Sequence, residues 1–204
     1  MKKILLKSIA SVAVFSLTAG TSFADTGFND LKFYAGAGLD YAKHSVDKSK
    51  LGSDQKLKNK GMGLLIPILG IKFHENFAVE AGYSFNKKIS IKETGEPDVS
   101  FKIRNAYLDV VGLMPIANQF DLIGGLGVGR LMAKKGAGVD SEVKVKNKFG
   151  WRAKFGAQYN CTDNVAFRAL VAYQRVGSKL KFADQEMKFI KNMKSIGLSA
   201  IYTF

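Results

Sequence analysis

The sequence has a single cysteine, Cys161, so no disulfide can form within the chain. An exported protein without disulfides must draw its stability from burial or from closure of a sheet. Beyond residue 24 no run is both long enough and apolar enough to cross a bilayer as a helix. A hydropathy scan would call that stretch soluble, but a membrane β-barrel leaves only a weak signal in each segment and escapes such a scan. Helical periodicity is almost absent, and there is neither an internal repeat beyond a hairpin unit nor a linker. The two histidines, His44 and His74, are far apart, and His74 lies in a tight turn beside Glu75 with no partner histidine nearby. Metal binding is therefore poorly supported, and no cofactor is expected. Cys161 has no apparent base to activate it as a nucleophile.

What the chain does have begins with Met1-Lys2-Lys3, a short apolar stretch from Ser8 to Thr21, and Ser22-Phe23-Ala24. A basic start, a short apolar region and a small-x-small site make residues 1–24 a secretory signal, expected to be removed after Ala24. Residues 25–204 then form one domain. Without the leader's three lysines the chain carries 28 cations against 17 anions, a net charge of +11.

Period-two alternation, the mark of a half-buried strand, recurs eight times. In 149–160, Phe149, Trp151, Ala153, Phe155, Ala157 and Tyr159 alternate with Gly150, Arg152, Lys154, Gly156, Gln158 and Asn160. Segments 31–42, 77–86, 165–175 and 194–204 alternate as cleanly. Segments 62–73, 101–114 and 120–132 are less regular; 62–73 is apolar on both faces and contains Pro67, which points to a bulge. Three connections are short (74–76, 115–119, 161–164), and four are long (43–60, 87–100, 134–147, 176–192). Long and short connections in turn describe an antiparallel up-and-down barrel with one tight rim.

Two barrels fit such strands: a soluble one, apolar inside, and a membrane one, apolar outside. The polar face decides between them. It is rich in glycine, which suits a crowded interior better than a solvated exterior. It also holds charges of both signs at Lys32, Asp40, Lys72, Glu80, Asp109, Arg152, Lys154 and Arg168. The apolar face carries aromatics near both strand ends. Phe73, Phe77, Tyr159, Phe167, Tyr202 and Phe204 lie near the short turns, and Tyr41, Tyr83, Phe85, Phe149, Trp151 and Tyr173 toward the long connections. Two girdles around an aliphatic band are what a bilayer selects. The expected fold is therefore all-β, an eight-stranded antiparallel up-and-down transmembrane β-barrel.

The stretches "FYAGAGLDYA", "LIGGLGVGR", "NFAVEAGYSF" and "SIGLSAIYTF" resemble small eight-stranded outer-membrane barrels of Gram-negative bacteria, the group of the OmpA transmembrane domain, OmpX, the opacity proteins and rickettsial-type surface proteins. The resemblance implies insertion into the cell outer membrane. It also implies that Ile196, Leu198, Ala200, Tyr202 and Phe204 form the signal read by the barrel-assembly machinery. Some small barrels of this kind are lipid A deacylases, but His44-Ser45 lacks their longer motif, and a solvated loop histidine explains it equally well. No enzyme is expected.

An eight-stranded lumen is too narrow for a water channel, so the interior charges are expected to form a salt-bridge plug; a gated ion path is the alternative. The long connections collect cations. Lys43, Lys48, Lys50, Lys56, Lys58 and Lys60 face only Asp47 and Asp54 in the first. Lys134, Lys135, Lys144 and Lys146 lie in the third, and Lys179, Lys181, Lys188 and Lys191 in the fourth, while the short turns carry none. The long-loop rim faces outward from the cell. The expected partners are outer-membrane lipid and lipopolysaccharide, and an anionic glycan or protein of a host surface; nucleic acid is not expected at that address. The function expected is envelope support with adhesive basic loops. A narrow pore and a soluble periplasmic lipid-binding barrel are the alternatives.

Overall fold

The computed structural model describes residues 31–46, 56–92, 99–135, 144–146, 149–182 and 185–204. The expected leader, residues 1–24, lies outside the described residues. The described residues contain no helix. They form one antiparallel sheet from β1 (Lys32–Val46), β2 (Lys56–Lys58), β3 (Lys60–His74), β4 (Phe77–Lys92), β5 (Val99–Ala117), β6 (Phe120–Lys135), β7 (Lys144–Lys146), β8 (Phe149–Asn160), β9 (Val165–Phe182) and β10 (Gln185–Thr203). Eight of these make the wall in the order β1-β3-β4-β5-β6-β8-β9-β10, and β10 pairs back onto β1 to close it. Closure leaves no edge, so every wall strand has two partners, as a membrane setting requires. The short strands β2 and β7 sit on the far extensions of β4 and β9.

The wall is apolar outside. Leu126, Leu198, Phe155, Ile196, Val110, Phe167 and Trp151 are each half or more exposed, while Glu80, Asp109, Arg152, Lys154 and Arg168 are buried. A soluble apolar-core barrel would reverse this, so that alternative is overturned. Aromatic pairs mark both edges of the apolar band. Phe73 with Phe77, Phe120 with Tyr159, and Tyr202 with Phe204 lie near the short turns; Trp151 with Tyr173, and Tyr83 with Phe85, lie toward the other rim. A smaller apolar cluster, including Tyr34, Ile68, Val111, Leu113, Ile123 and Ile201, fills the interior toward the short-turn end.

The irregular segment 62–73 does contain a bulge. The pairing of β3 with β4 shifts between Leu65 and Ile68, and that of β3 with β1 between Gly36 and Gly38. Before Pro67 the outward residue is even-numbered, as at Met62; after it Leu69, Ile71 and Phe73 point out. One extra residue moves every later side chain to the opposite face, which is why no single alternation fits the segment.

The long connections are the main correction. Residues 176–182 and 185–192 continue β9 and β10, and 43–46, 87–92 and 134–135 extend β1, β4 and β6. Beyond the apolar band the outer face carries polar residues such as Lys43, Lys102 and Lys194, while the enclosed inner face keeps apolar ones such as Ile103, Leu131, Val176, Ile190 and Met193. The outward apolar row that marks the wall is therefore lost while backbone pairing continues.

Candidate functional site

Five strands project ionic or aromatic polar groups to one level of the barrel axis. Lys154 of β8 reaches Glu80 of β4 at 2.5 Å and Asp109 of β5 at 3.1 Å. Arg152, two residues before it and so on the same face, meets Asp109 at 3.1 Å. Arg168 of β9 donates to the second oxygen of Glu80 at 2.6 Å. Tyr34 of β1 donates its hydroxyl to that same oxygen at 3.0 Å. The Arg168 guanidinium also lies 4.9 Å from the centre of the Tyr34 ring, and the Arg152 guanidinium lies 4.2 Å from that of Tyr107.

Glycine makes room for these rings. A Cβ on Gly70 would overlap the Tyr34 ring, and one on Gly82 would overlap Tyr107. Each ring therefore lies flat over a neighbouring strand where no side chain stands.

Amides extend the network at both ends. Arg168 donates to Gln158 at 2.6 Å, and Gln158 and Asn160 both donate to Asp121 toward the short turns. On the other side Asn105 and Gln174 exchange two hydrogen bonds, of 2.9 and 3.0 Å. Asp40 is buried and lines a cavity of about 30 Å³ together with Glu80, Arg152 and Arg168. Three carboxylates (Asp40, Glu80, Asp109) thus balance three cations (Arg152, Lys154, Arg168). A space of that size holds a water or two.

Two expected members of this network lie elsewhere. Lys32 and Lys72 are register partners on β1 and β3, and both line an open polar vestibule of about 540 Å³ at the short-turn mouth. They lie one inward rung, two residues along the strand, nearer that rim than Tyr34 and Glu80, where the vestibule lets water solvate them. Among the described residues neither is paired with a carboxylate. Parity alone already put Tyr34, Gln158 and Gln174 on the inward face; what it could not reveal was that they reach one another.

His44 is also corrected. It is 1% exposed, on the inner face of β1, and not a solvated loop residue. Asn59 donates its side-chain amide to the His44 carbonyl at 2.6 Å, and the His44 N–H donates to the Asn59 carbonyl at 2.9 Å. Because β1 runs on to Val46, position 44 inherits the inward parity of Asp40 and Ala42. His74 accepts a hydrogen bond from the Asn76 N–H within its turn, and Cys161 is free in another turn. Among the described residues no group of His, Cys, Asp or Glu could hold a metal ion.

The expected loop lysines divide into groups. Lys48 and Lys50 lie outside the described residues. Lys56 and Lys58 fall in β2, and Lys144 and Lys146 in β7. Lys134, Lys135, Lys179, Lys181, Lys188 and Lys191 belong to the extensions of β6, β9 and β10. Lys43 and Lys60 are exposed register partners on the outer wall of β1 and β3. The terminal alternation holds: Ile196, Leu198, Ala200, Tyr202 and Phe204 are all exposed, on the strand that closes the barrel.

Solved structures share this architecture at low sequence identity. OprG from Pseudomonas aeruginosa is 16% identical with a TM-score of 0.60, over 85% of this chain and 95% of that one. Neisserial surface protein A is 19% identical with a TM-score of 0.55, over 84% and 97%. Ail of Yersinia pestis, in complex with the heparin analogue sucrose octasulfate, is 17% identical with a TM-score of 0.51, over 86% and 99%. No curated protein sequence matches the chain. The model of the outer membrane protein beta-barrel domain matches residues 8–204. With a closed wall, an apolar exterior and a charged axis, the chain belongs to the outer membrane protein β-barrel domain family.

Proposed function

We propose that this outer-membrane barrel is a non-enzymatic envelope protein that works through its outer surfaces and not through its lumen. The ion-pair plug carries this reading: Glu80, Asp109, Arg152, Lys154 and Arg168 close the axis and leave a cavity of about 30 Å³. With the lumen closed, what the protein offers its surroundings is the lipid-facing wall and the basic hairpin extensions. Those extensions lie on the side that long connections occupy in such barrels, outside the cell. Export through the leader 1–24 and insertion by the assembly machinery through Ile196–Phe204 belong to the same reading.

The adhesive surface is the lysine-rich far side, and its ligand is an anionic polymer such as a sulfated host glycan. The solved complex of Ail with a heparin analogue is a precedent for such a ligand on a barrel of this fold. The test is binding of the folded full-length protein to immobilised heparin. Changing Lys48, Lys50, Lys56 and Lys58 to Ser should lower the salt concentration needed for elution. Unchanged elution would remove the adhesive role.

A narrow pore is the second reading, favoured by the polar vestibule of about 540 Å³ that leads up to the plug. Planar-bilayer recording separates the two: discrete conductance steps from the unmodified protein would establish the pore.

A further inference from the structure

On the outer wall, three lysines stand side by side. Lys43 of β1 is the register partner of Lys60 on β3 and of Lys194 on β10. All three are exposed and, by strand parity, continue the lipid-facing rows that end in Tyr41, Met62 and Ile196. Neighbouring strands lie about 4.8 Å apart, so these ammonium groups repel unless an anion sits among them. Among the described residues no carboxylate pairs with any of the three.

The trio belongs to a wider collar. Arg104, Arg130 and Arg175 occupy the same edge of the outward face on β5, β6 and β9. At the short-turn edge of that face the described residues include no lysine or arginine. The cations therefore mark one leaflet, the outer one.

A second, independent feature adjoins the lysines. Lys43 and Lys194 border an open groove of about 580 Å³ in the wall. The register resolves it into two rungs. The upper one runs Lys43, Lys194, Tyr173, Ala153; the lower one runs Tyr41, Ile196, Val171, Phe155. Ala153 is small between larger neighbours and so leaves a depression. The cations are at the rim and the apolar floor lies on the membrane side.

We propose that Lys43, Lys60 and Lys194 with this groove form a binding site for a phosphorylated glycolipid of the outer leaflet, the phosphate held by the lysines and one acyl chain laid over Val171, Phe155 and Ile196. The site gives the lipid contact of the proposed function a definite place, and it is separate from the adhesive lysines. A lipid is chosen over a soluble anion because the groove floor is apolar and faces the bilayer. A phosphate is chosen because three adjacent lysines match a compact anion of more than one charge.

The full-length protein, folded in detergent micelles, is titrated with bisphosphorylated lipid A, with its dephosphorylated form and with inorganic phosphate. Trp151 serves as reporter, since its ring lies 5.2 Å from that of Tyr173 in the groove. Lipid A should saturate the signal, and removal of its phosphates should weaken binding by about tenfold or more. Changing all three lysines to Ser should cost roughly a hundredfold, about fivefold for each lysine, while the triple Arg variant keeps the affinity. Folding of each variant is read from its heat-modifiable migration; if the triple Ser variant does not fold, the single Lys43→Ser and Lys194→Ser variants carry the test. Equal affinity for the two lipids, binding of inorganic phosphate as tight as that of lipid A, or a folded Ser variant that binds like the unmodified protein would each overturn the site. Heparin elution of the Lys48, Lys50, Lys56 and Lys58 variant is independent of all three results.

Discussion

Lys154 and Glu80, separated by 74 positions in the chain, meet across the barrel at 2.5 Å and are both almost completely buried. Their strands, β8 and β4, are not neighbours in the wall, so the bond spans the lumen. Arg168 holds the other oxygen of Glu80, and Lys154 is shared with Asp109, so Glu80, Asp109 and Lys154 each have two partners of opposite charge.

Glu80→Ala should therefore be strongly destabilising. It leaves Lys154 and Arg168 with one fewer anion in a buried interior, a loss of about 3–5 kcal/mol. Urea titration in lipid vesicles, following the heat-modifiable band, measures it. Adding Lys154→Ala should recover part of the loss, because the second change removes the charge left unpaired. Strict additivity of the two would count against a coupled plug.

Gly82→Ala should lose about 1–3 kcal/mol through overlap of the new methyl group with the Tyr107 ring. In a Tyr107→Ala background the same substitution should be nearly neutral. A double-mutant cycle on unfolding free energies reads the difference, and an unchanged penalty would place the strain elsewhere.

Leu126 is 69% exposed in the middle of β6, on the lipid side. Leu126→Arg should cost about 2–4 kcal/mol, and Phe149→Arg, at the outer edge beside Arg130, about 0–1 kcal/mol. Vesicle unfolding checks both. Equal costs at the two sites would contradict the assigned depth of the apolar band.

Phe204→Ser removes the last aromatic of the closing strand, whose ring lies 5.1 Å from that of Tyr202. A lower yield of membrane-inserted, heat-modifiable protein in cells is expected, while refolding from urea into detergent proceeds. Normal yield in cells would show that assembly does not read this residue.

The wall strands were legible because a bilayer imposes a strict period of two. Trp151 must be outward if Arg152 is inward, and glycines beside charges indicated which face was enclosed. Legibility failed where that constraint lapsed. The bulge at Pro67 moved the phase of β3, and the outer hairpin arms lost their outward apolar row, because beyond the bilayer the outer face turns polar and the apolar side chains, such as Ile103 and Leu131, are the inward ones. His44 was misplaced for the same reason, since the strand carrying it runs on to Val46, past the exposed apolar row that ends at Tyr41. Lys32 and Lys72 have the right parity but the wrong depth: a strand's face is periodic, whereas its depth depends on register with its neighbours.

By itself the sequence determined that this chain is an all-β membrane barrel with charges inside and an aromatic-bounded apolar wall, because alternation is local and each residue's face follows from its neighbours along the strand. Only the tertiary structure decided which charges pair across the lumen, that Tyr34 and Tyr107 lie over Gly70 and Gly82, and that Lys43, Lys60 and Lys194 share one rung. Those relationships depend on the stagger between strands far apart in the chain, and that stagger is set by closure of the whole sheet.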